Sequence, residues 1–237
     1  MNKFFLLMMA VASVMTVSAQ TYNDPNAQVR NVKGFHSIHV SNAIDLYLSQ
    51  SNEEAVAVSA SEEKYRDKII TEVDNGVLKI YLGKDSWKFW KNGNKKLKAY
   101  VSFKTLNGLH ASGASDVQVN GVIKSDRLDL RLSGASDFRG TIEVNTFNID
   151  QSGASDAEVR GSATAIRAEA SGASKMKGYD LRTENCNARA SGASDIRVTC
   201  NKELNAHASG ASGIYYKGSA VIREVRSSGA SSVSKKG

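Results

Sequence analysis

Apolar and polar residues alternate along most of the chain, and in its second half they do so in step with a recurring peptide. In Arg127-Leu128-Asp129-Leu130-Arg131-Leu132 every second side chain is apolar. The same phase returns at Phe147 and Ile149, at Ile166, Ala168 and Ala170, at Cys186, Ala188 and Ala190, and at Leu204, Ala206 and Ala208. The residues between are mostly charged or polar. Period two with one apolar side is the pattern of a half-buried strand. Each run leads into Ser-Gly-Ala-Ser, which begins at residues 112, 133, 152, 171, 191, 209 and 228. A second apolar column opens just after it, at Val117, Phe138, Ala157, Met176, Ile196, Ile214 and Val233. Every repeat therefore predicts at least two short strands separated by a tight corner.

Spacings of 18 to 21 residues between copies are the mark of stacked structural units. At ~3.3 Å per strand residue, a coil of about 19 residues closes a circuit of two or three short strands, and successive coils pair in parallel ~4.8 Å apart. The glycines of the motif (Gly113, Gly134, Gly153, Gly172, Gly192, Gly210 and Gly229) suit a corner that needs positive φ or close backbone approach. Its Ser hydroxyls and Asp carboxylate are expected to satisfy turn amides and to stack from coil to coil. The shift from Leu and Phe to Ala along the inward columns predicts a slim core in the later coils. The fold expected is all-β, a parallel β-helix. A β-propeller needs about 40 residues per blade, and the six-residue beat of hexapeptide helices is absent.

Ahead of the repeats the pattern is less regular. Residues 1–19 read as a secretory signal peptide, with Lys3, an apolar run from Phe4 to Val17, and the small-residue site Val17-Ser18-Ala19. Residues 20–33 are a polar leader, disordered or lying along an edge. Residues 34–110 form an irregular N-terminal portion and residues 111–237 the regular repeat. Ser41-Asn42-Ala43-Ile44-Asp45 is a worn copy of the motif. Leu46 to Leu48, Ala55 to Val58, Ile69 to Val73, Val77 to Leu82 and Leu97 to Phe103 predict strands, and Ser61 to Lys64 a short helical turn. Asp74-Asn75-Gly76 predicts a hairpin.

The signal sequence implies export, to the periplasm or to the cell surface and beyond. The apolar run falls short of the ~20 residues of a spanning helix, and no later stretch reaches that length. The formal net charge of +7 favours anionic partners such as a glycan or surface polymer, and export disfavours nucleic acid. Cys186 and Cys200 travel an oxidising route, so a disulfide is open. Cys186 nevertheless falls in an apolar column, and Cys200 aligns with Gly121, Gly161 and Gly218, which read as turns.

Three features are candidates for chemistry. The motif Asp recurs at 116, 137, 156 and 195, with Lys175 interrupting the series. It reads as a solvated turn ladder or as a Ca²⁺ ladder, and Lys175 argues for the former. The segment from Lys84 to Lys98 holds both tryptophans and is rich in lysine. Trp87, Lys88, Trp90, Lys91, Lys95 and Lys96 either cap the solenoid end or form a patch for anionic glycan or membrane surface. Nucleophile motifs are absent, since Ser-x-x-Lys at Ser61, Ser174 and Ser232 occupies three unrelated contexts. The four histidines are scattered. No metal, cofactor or catalytic residue is expected.

Taken together, the exported start, Phe35-His36-Ser37-Ile38-His39-Val40, Asp45-Leu46-Tyr47-Leu48, Asn75-Gly76-Val77-Leu78-Lys79-Ile80 and the Ser-Gly-Ala-Ser-Asp repeats resemble the putative auto-transporter adhesin, head GIN domain family, frequent in Bacteroidota. The resemblance spans about residues 33 to 234. It implies a right-handed parallel β-helix with the glycine motif at the turn between its sheets, and a role in adhesion without enzymatic chemistry. The expected function is an adhesin-like interaction module. The alternatives are a carbohydrate-active β-helix enzyme (polysaccharide lyase or hydrolase) and a periplasmic structural protein whose end coil stacks on another copy as a homo-oligomer.

Overall fold

The alternation closes into a stack of parallel rungs, a β-solenoid of about seven turns with coils near 19 residues. The computed structural model describes residues 24–83 and 95–237. The signal sequence and most of the tryptophan-lysine segment lie outside the described residues.

The N-terminal portion contains β1 (Gln28–Arg30), β2 (Ser37–Val40), β3 (Asp45–Gln50), β4 (Ala55–Ser59), the helical turn α1 (Glu63–Arg66), β5 (Ile69–Asp74), β6 (Val77–Leu82), β7 (Lys98–Phe103) and β8 (Gly108–Ala111). Its rungs are stacked out of sequence order. Strand β2 lies between β6 and β8, parallel to both. Strand β3 likewise pairs in parallel with β7 and with the first long strand of the repeat region. The rung made by β2 and β3 is thus second in the stack although first along the chain. Strands β6 and β7 slip in beneath it, and residues 104–107 step past it to start β8. The outer edges of β6 and β7 are covered by antiparallel strands, β5 on β6 and β4 on β7, with β1 on β4. Antiparallel cover ends the ladder and removes an open parallel edge. The leader is accordingly an edge strand at Gln28–Arg30. The hairpin expected at Asp74-Asn75-Gly76 joins β5 to β6, with φ of 49° at Asn75 and 75° at Gly76.

The repeat region continues with β9 (Val117–Leu132), β10 (Asp137–Gln151), β11 (Asp156–Ala170), β12 (Lys175–Ala190), β13 (Asp195–Ala208), β14 (Gly213–Lys217), β15 (Val221–Ser227) and β16 (Ser232–Lys235). Where the sequence predicted two short strands per repeat, β9 to β13 are each one strand of 14 to 16 residues. The two halves are fused because parallel pairing carries on around the bend. The change of side shows in the burial phase: in β10, Val144 and Phe147 both point inward with two residues between them.

The inward columns are ladders of similar residues in register. Val117, Phe138, Ala157, Met176 and Ile196 stack rung on rung, as do Leu128, Phe147, Ile166, Cys186 and Leu204. All are at most a few percent exposed. Burial at ~25 cal/mol per Å² of apolar surface is the main stabilising term for such a stack. The last coil has no rung above it among the described residues. Val221, Ile222 and Val225 of β15 are about half exposed.

Candidate ligand face

The corner residues come first, because they fix where the faces lie. The seven motif glycines have φ between 64° and 76°, and from Gly153 onward a Cβ on each would fall within 2.9 Å of the carbonyl oxygen of the glycine one rung below. Both needs anticipated for glycine, the left-handed backbone and the close approach, are therefore present. In the worn copy Asn42, with φ of 65°, takes the glycine's place, and Asn tolerates this region better than most residues.

The fourth residue of the motif is buried. Ser115, Ser136, Ser155, Ser174, Ser194 and Ser212 are at most 3% exposed. The Ser194 hydroxyl accepts from the Ser191 amide and shares its single proton between the carbonyls of Ser191 and Ala170, at 2.8 and 3.0 Å. Ser212 repeats the arrangement with Ser209 and Ala190. Serine, not aspartate, thus satisfies the corner's backbone, and each hydroxyl ties two rungs together.

The motif aspartates point outward instead. Asp45 and Asp116 flank the amide of Leu46, which donates to the Asp116 carbonyl, and the column continues in register through Asp137, Asp156, Lys175 and Asp195. Lys98 lies at its foot, opposite Asp45. The carboxylates are paired by bases at 3.5 to 3.9 Å: Arg139 with Asp137 and Arg197 with Asp195, each two residues along its own strand, and Lys177 with Asp156 from the next rung. Burial, then the neighbouring carboxylate one rung up, raises the Asp45 and Asp116 carboxyls above their ordinary value of 3.8. Among the described residues no group of three or more His, Cys, Asp or Glu is placed to hold a metal ion.

Beside the aspartates runs a second outward column: Tyr100 stacked on Tyr47, ring centroids 5.2 Å apart, then Gln118, Arg139, Glu158, Lys177, Arg197 and Tyr215. The other flat side of the coil carries its own column. Lys79, His39, His110 and Arg131 follow one another in register, then Asp150 and Glu169, then Arg189, His207 and Arg226. His39 and His110 meet edge to face at 5.2 Å. An open groove of about 560 Å³ follows the bend between the two sides, lined by mixed polar residues such as Glu143, Ser162, Arg182 and Asn201.

Of the tryptophan-lysine candidates, Trp87, Lys88, Trp90 and Lys91 lie outside the described residues. Lys95 is buried, with its ammonium 5.2 Å from the centre of the Tyr65 ring. Lys96 follows in the left-handed region, φ 43°. Cys186 and Cys200 are both buried and unbridged. Cys200 is a core residue of β13 rather than a turn. Thr183 sits between the thiols, 2.7 Å from Cys186 Sγ and opposite Cys200 in register. A hydrogen bond shared by the two thiols, together with burial, pushes Cys186 up; the same bond draws Cys200 down.

The class of protein defined by this geometry is a capped β-solenoid with long, charged and tyrosine-bearing outer columns. Residues 34–220 match the family described as putative auto-transporter adhesin, head GIN domain, and the chain belongs to that family. Solved structures share the architecture. A putative adhesin from Bacteroides fragilis is 22% identical with a TM-score of 0.79, over 89% of this chain and 96% of that one. A putative lipid binding protein from Parabacteroides distasonis is 20% identical with a TM-score of 0.69, over 90% and 98%. A putative adhesin from the same species is 18% identical with a TM-score of 0.70, over 89% and 96%. At these identities the likeness is one of fold. No curated protein matches the chain.

Proposed function

We propose that the protein is a non-enzymatic, exported, adhesin-like module that binds an extended polymer of a host or cell surface along its outer faces. The observation that supports this reading most is the continuity of the outward columns. Side chains from Lys98 and Tyr100 at one end to Tyr215 at the other stand in register at the rung spacing of ~4.8 Å, on a backbone held by parallel ladders. A polymer with its own repeat can meet such rows without the face having to rearrange, which limits the ordering cost of binding. Export is supported by the residues from Lys3 to Ala19.

The test is binding of the full folded chain to an array of host and bacterial surface glycans, with phospholipid vesicles as a further arm and heat-unfolded protein as control. Saturable binding to a surface polymer by the folded protein alone is expected. Equal capture of folded and unfolded protein, or cleavage of an arrayed glycan, would overturn the proposal. In the same experiment Trp87→Ala and Trp90→Ala report whether the tryptophan-lysine segment contributes.

A further inference from the structure

Toward the C-terminal end the aspartate-tyrosine face changes sign and becomes aromatic. The acidic series is interrupted at Lys175 and ends at Asp195, and the adjacent column runs Lys177, Arg197, Tyr215. The sixth motif copy places Gly213 where four of the five earlier copies carry Asp. A Cβ at Gly213 would fall 2.6 Å from the ring and hydroxyl of Tyr215. The Tyr215 ring is therefore folded back along its own strand and lies over residue 213, where any other side chain would push it up. Lys236 holds its ammonium 5.0 Å from the centre of that ring. A second tyrosine, Tyr179, is covered in the same way by Lys217, at 5.0 Å. The two tyrosines belong to one patch: Lys217, which covers Tyr179, is two residues along β14 from Tyr215, and Thr199, opposite Lys217 in register, donates its hydroxyl to the Tyr179 carbonyl at 2.7 Å.

Cations outnumber acids here. Asp195 is engaged by Arg197 and Asp156 by Lys177. Among the described residues no carboxylate stands within ion-pair distance of Lys175, Lys217 or Lys236. We propose that Tyr215, Tyr179, Arg197, Lys177, Lys217 and Lys236 form a binding site for an acidic polysaccharide, a chain of pyranose rings bearing carboxylate or sulfate. This inference rests on the adhesin-like reading of the previous subsection. The apolar face of a sugar ring packs on the flat Tyr215 ring, and its anionic group pairs with Arg197 and the lysines. Lys236 is exposed, so its ammonium moves from over the ring to the sugar's charge, giving up only a weak solvent-screened contact.

The surroundings select a short glycan segment over other polyanions. The basic patch spans about three rungs, some 10–15 Å at ~4.8 Å each, which matches two or three sugars. Directly below it lie Asp156, Asp137 and Asp116, which repel a phosphate backbone or anionic bilayer continuing along the face. Duplex nucleic acid and membranes need a broader positive surface than this.

The experiment measures affinity of the full chain for polygalacturonate (carboxylate), dextran sulfate (sulfate), neutral dextran, duplex DNA and phosphatidylglycerol vesicles, at low and high salt. At least one acidic glycan is expected to bind in a salt-sensitive way, and neutral dextran not to bind. Arg197→Glu, Tyr215→Ala and Gly213→Asp should each weaken that binding by about tenfold or more, while Tyr215→Phe stays close to wild type and reports that the fold is intact. Variants that bind like wild type would overturn the site and leave the adhesin-like reading standing. DNA or vesicles bound as tightly as glycan, with the same losses, would overturn the glycan assignment. If no acidic glycan binds but another arrayed polymer does, the inference fails alone; silence on every surface sinks both.

Discussion

The Cβ that Gly172 lacks would lie 2.5 Å from the carbonyl oxygen of Gly153 one rung below, and that oxygen accepts the amide of Ala173 at 2.7 Å. The corners nest because the side chain is missing, and the nesting is what lets the inter-rung ladder run through the turn.

Gly172→Ala should therefore cost more than the left-handed backbone alone. The conformation costs about 1–2 kcal/mol, and a displaced Ala173 amide adds about 1 kcal/mol or more. Gly121 is the control, since its φ is 84° but nothing stands within 4 Å of its added Cβ. Chemical denaturation should give a loss of about 3 kcal/mol for Gly172→Ala and about 1 kcal/mol for Gly121→Ala. Equal losses would refute the close-approach argument.

The buried serines supply a second comparison. Ser194 and Ser231 share a pattern, each accepting from one amide and holding its single proton between two carbonyls, and Ser231 adds a contact with the Ser227 hydroxyl. Ser194 is fully buried, whereas Ser231 sits at the uncovered end coil. Removing a hydroxyl leaves the buried partners without water and the exposed ones with it. Ser194→Ala should lose about 2–3 kcal/mol, and Ser231→Ala under about 1 kcal/mol, by the same denaturation assay.

Much of this architecture was legible in the sequence because the solenoid repeats its physics. The apolar columns at Val117, Phe138 and Leu128 gave the strands, the glycines gave the corners, and Asn75-Gly76 gave the hairpin. Two things were not legible. The out-of-order stacking of β2 and β3 leaves no local trace, because a parallel rung has the same alternation wherever it is inserted. The division of labour at the corner was also hidden: the pentapeptide alone does not say that Ser194 turns inward while Asp195 turns out. Counting phase from Ile196 back to Ser194 would have found it, since both lie on the inward parity. The tyrosine-lysine patch escaped notice because its members, Tyr179, Tyr215 and Lys236, are far apart in sequence. The break in the motif at Gly213 was its one visible sign.

Cys186 and Cys200 offer a chemical check on the core. Both are buried and unbridged, so Ellman's reagent should find almost no thiol in the native protein. It should find two after unfolding in guanidinium without reductant. Rapid labelling of the native state would contradict their burial, and no thiol after unfolding would mean that they are bridged.

The histidine pair predicts a pH dependence whose sign can be worked out. His39 and His110 touch edge to face between Lys79 and Arg131 in one outward column. Burial first, then the positive charge of these neighbours, lowers both imidazoles from the ordinary 6.5. Below about pH 6.5 the unfolded chain then binds protons that the folded one refuses, so stability falls as pH drops through that window. Asp45 and Asp116 act with the opposite sign. Their carboxyls are raised above 3.8, so the folded state binds protons first and gains stability as pH falls toward 3.8. The two effects separate because the histidine loss begins at higher pH. Melting temperature should decline from pH 7.5 to pH 5.5 in the wild type, and His39→Gln/His110→Gln should decline less steeply over the same range. Parallel curves for the two proteins would show that these imidazoles remain freely protonated in the fold.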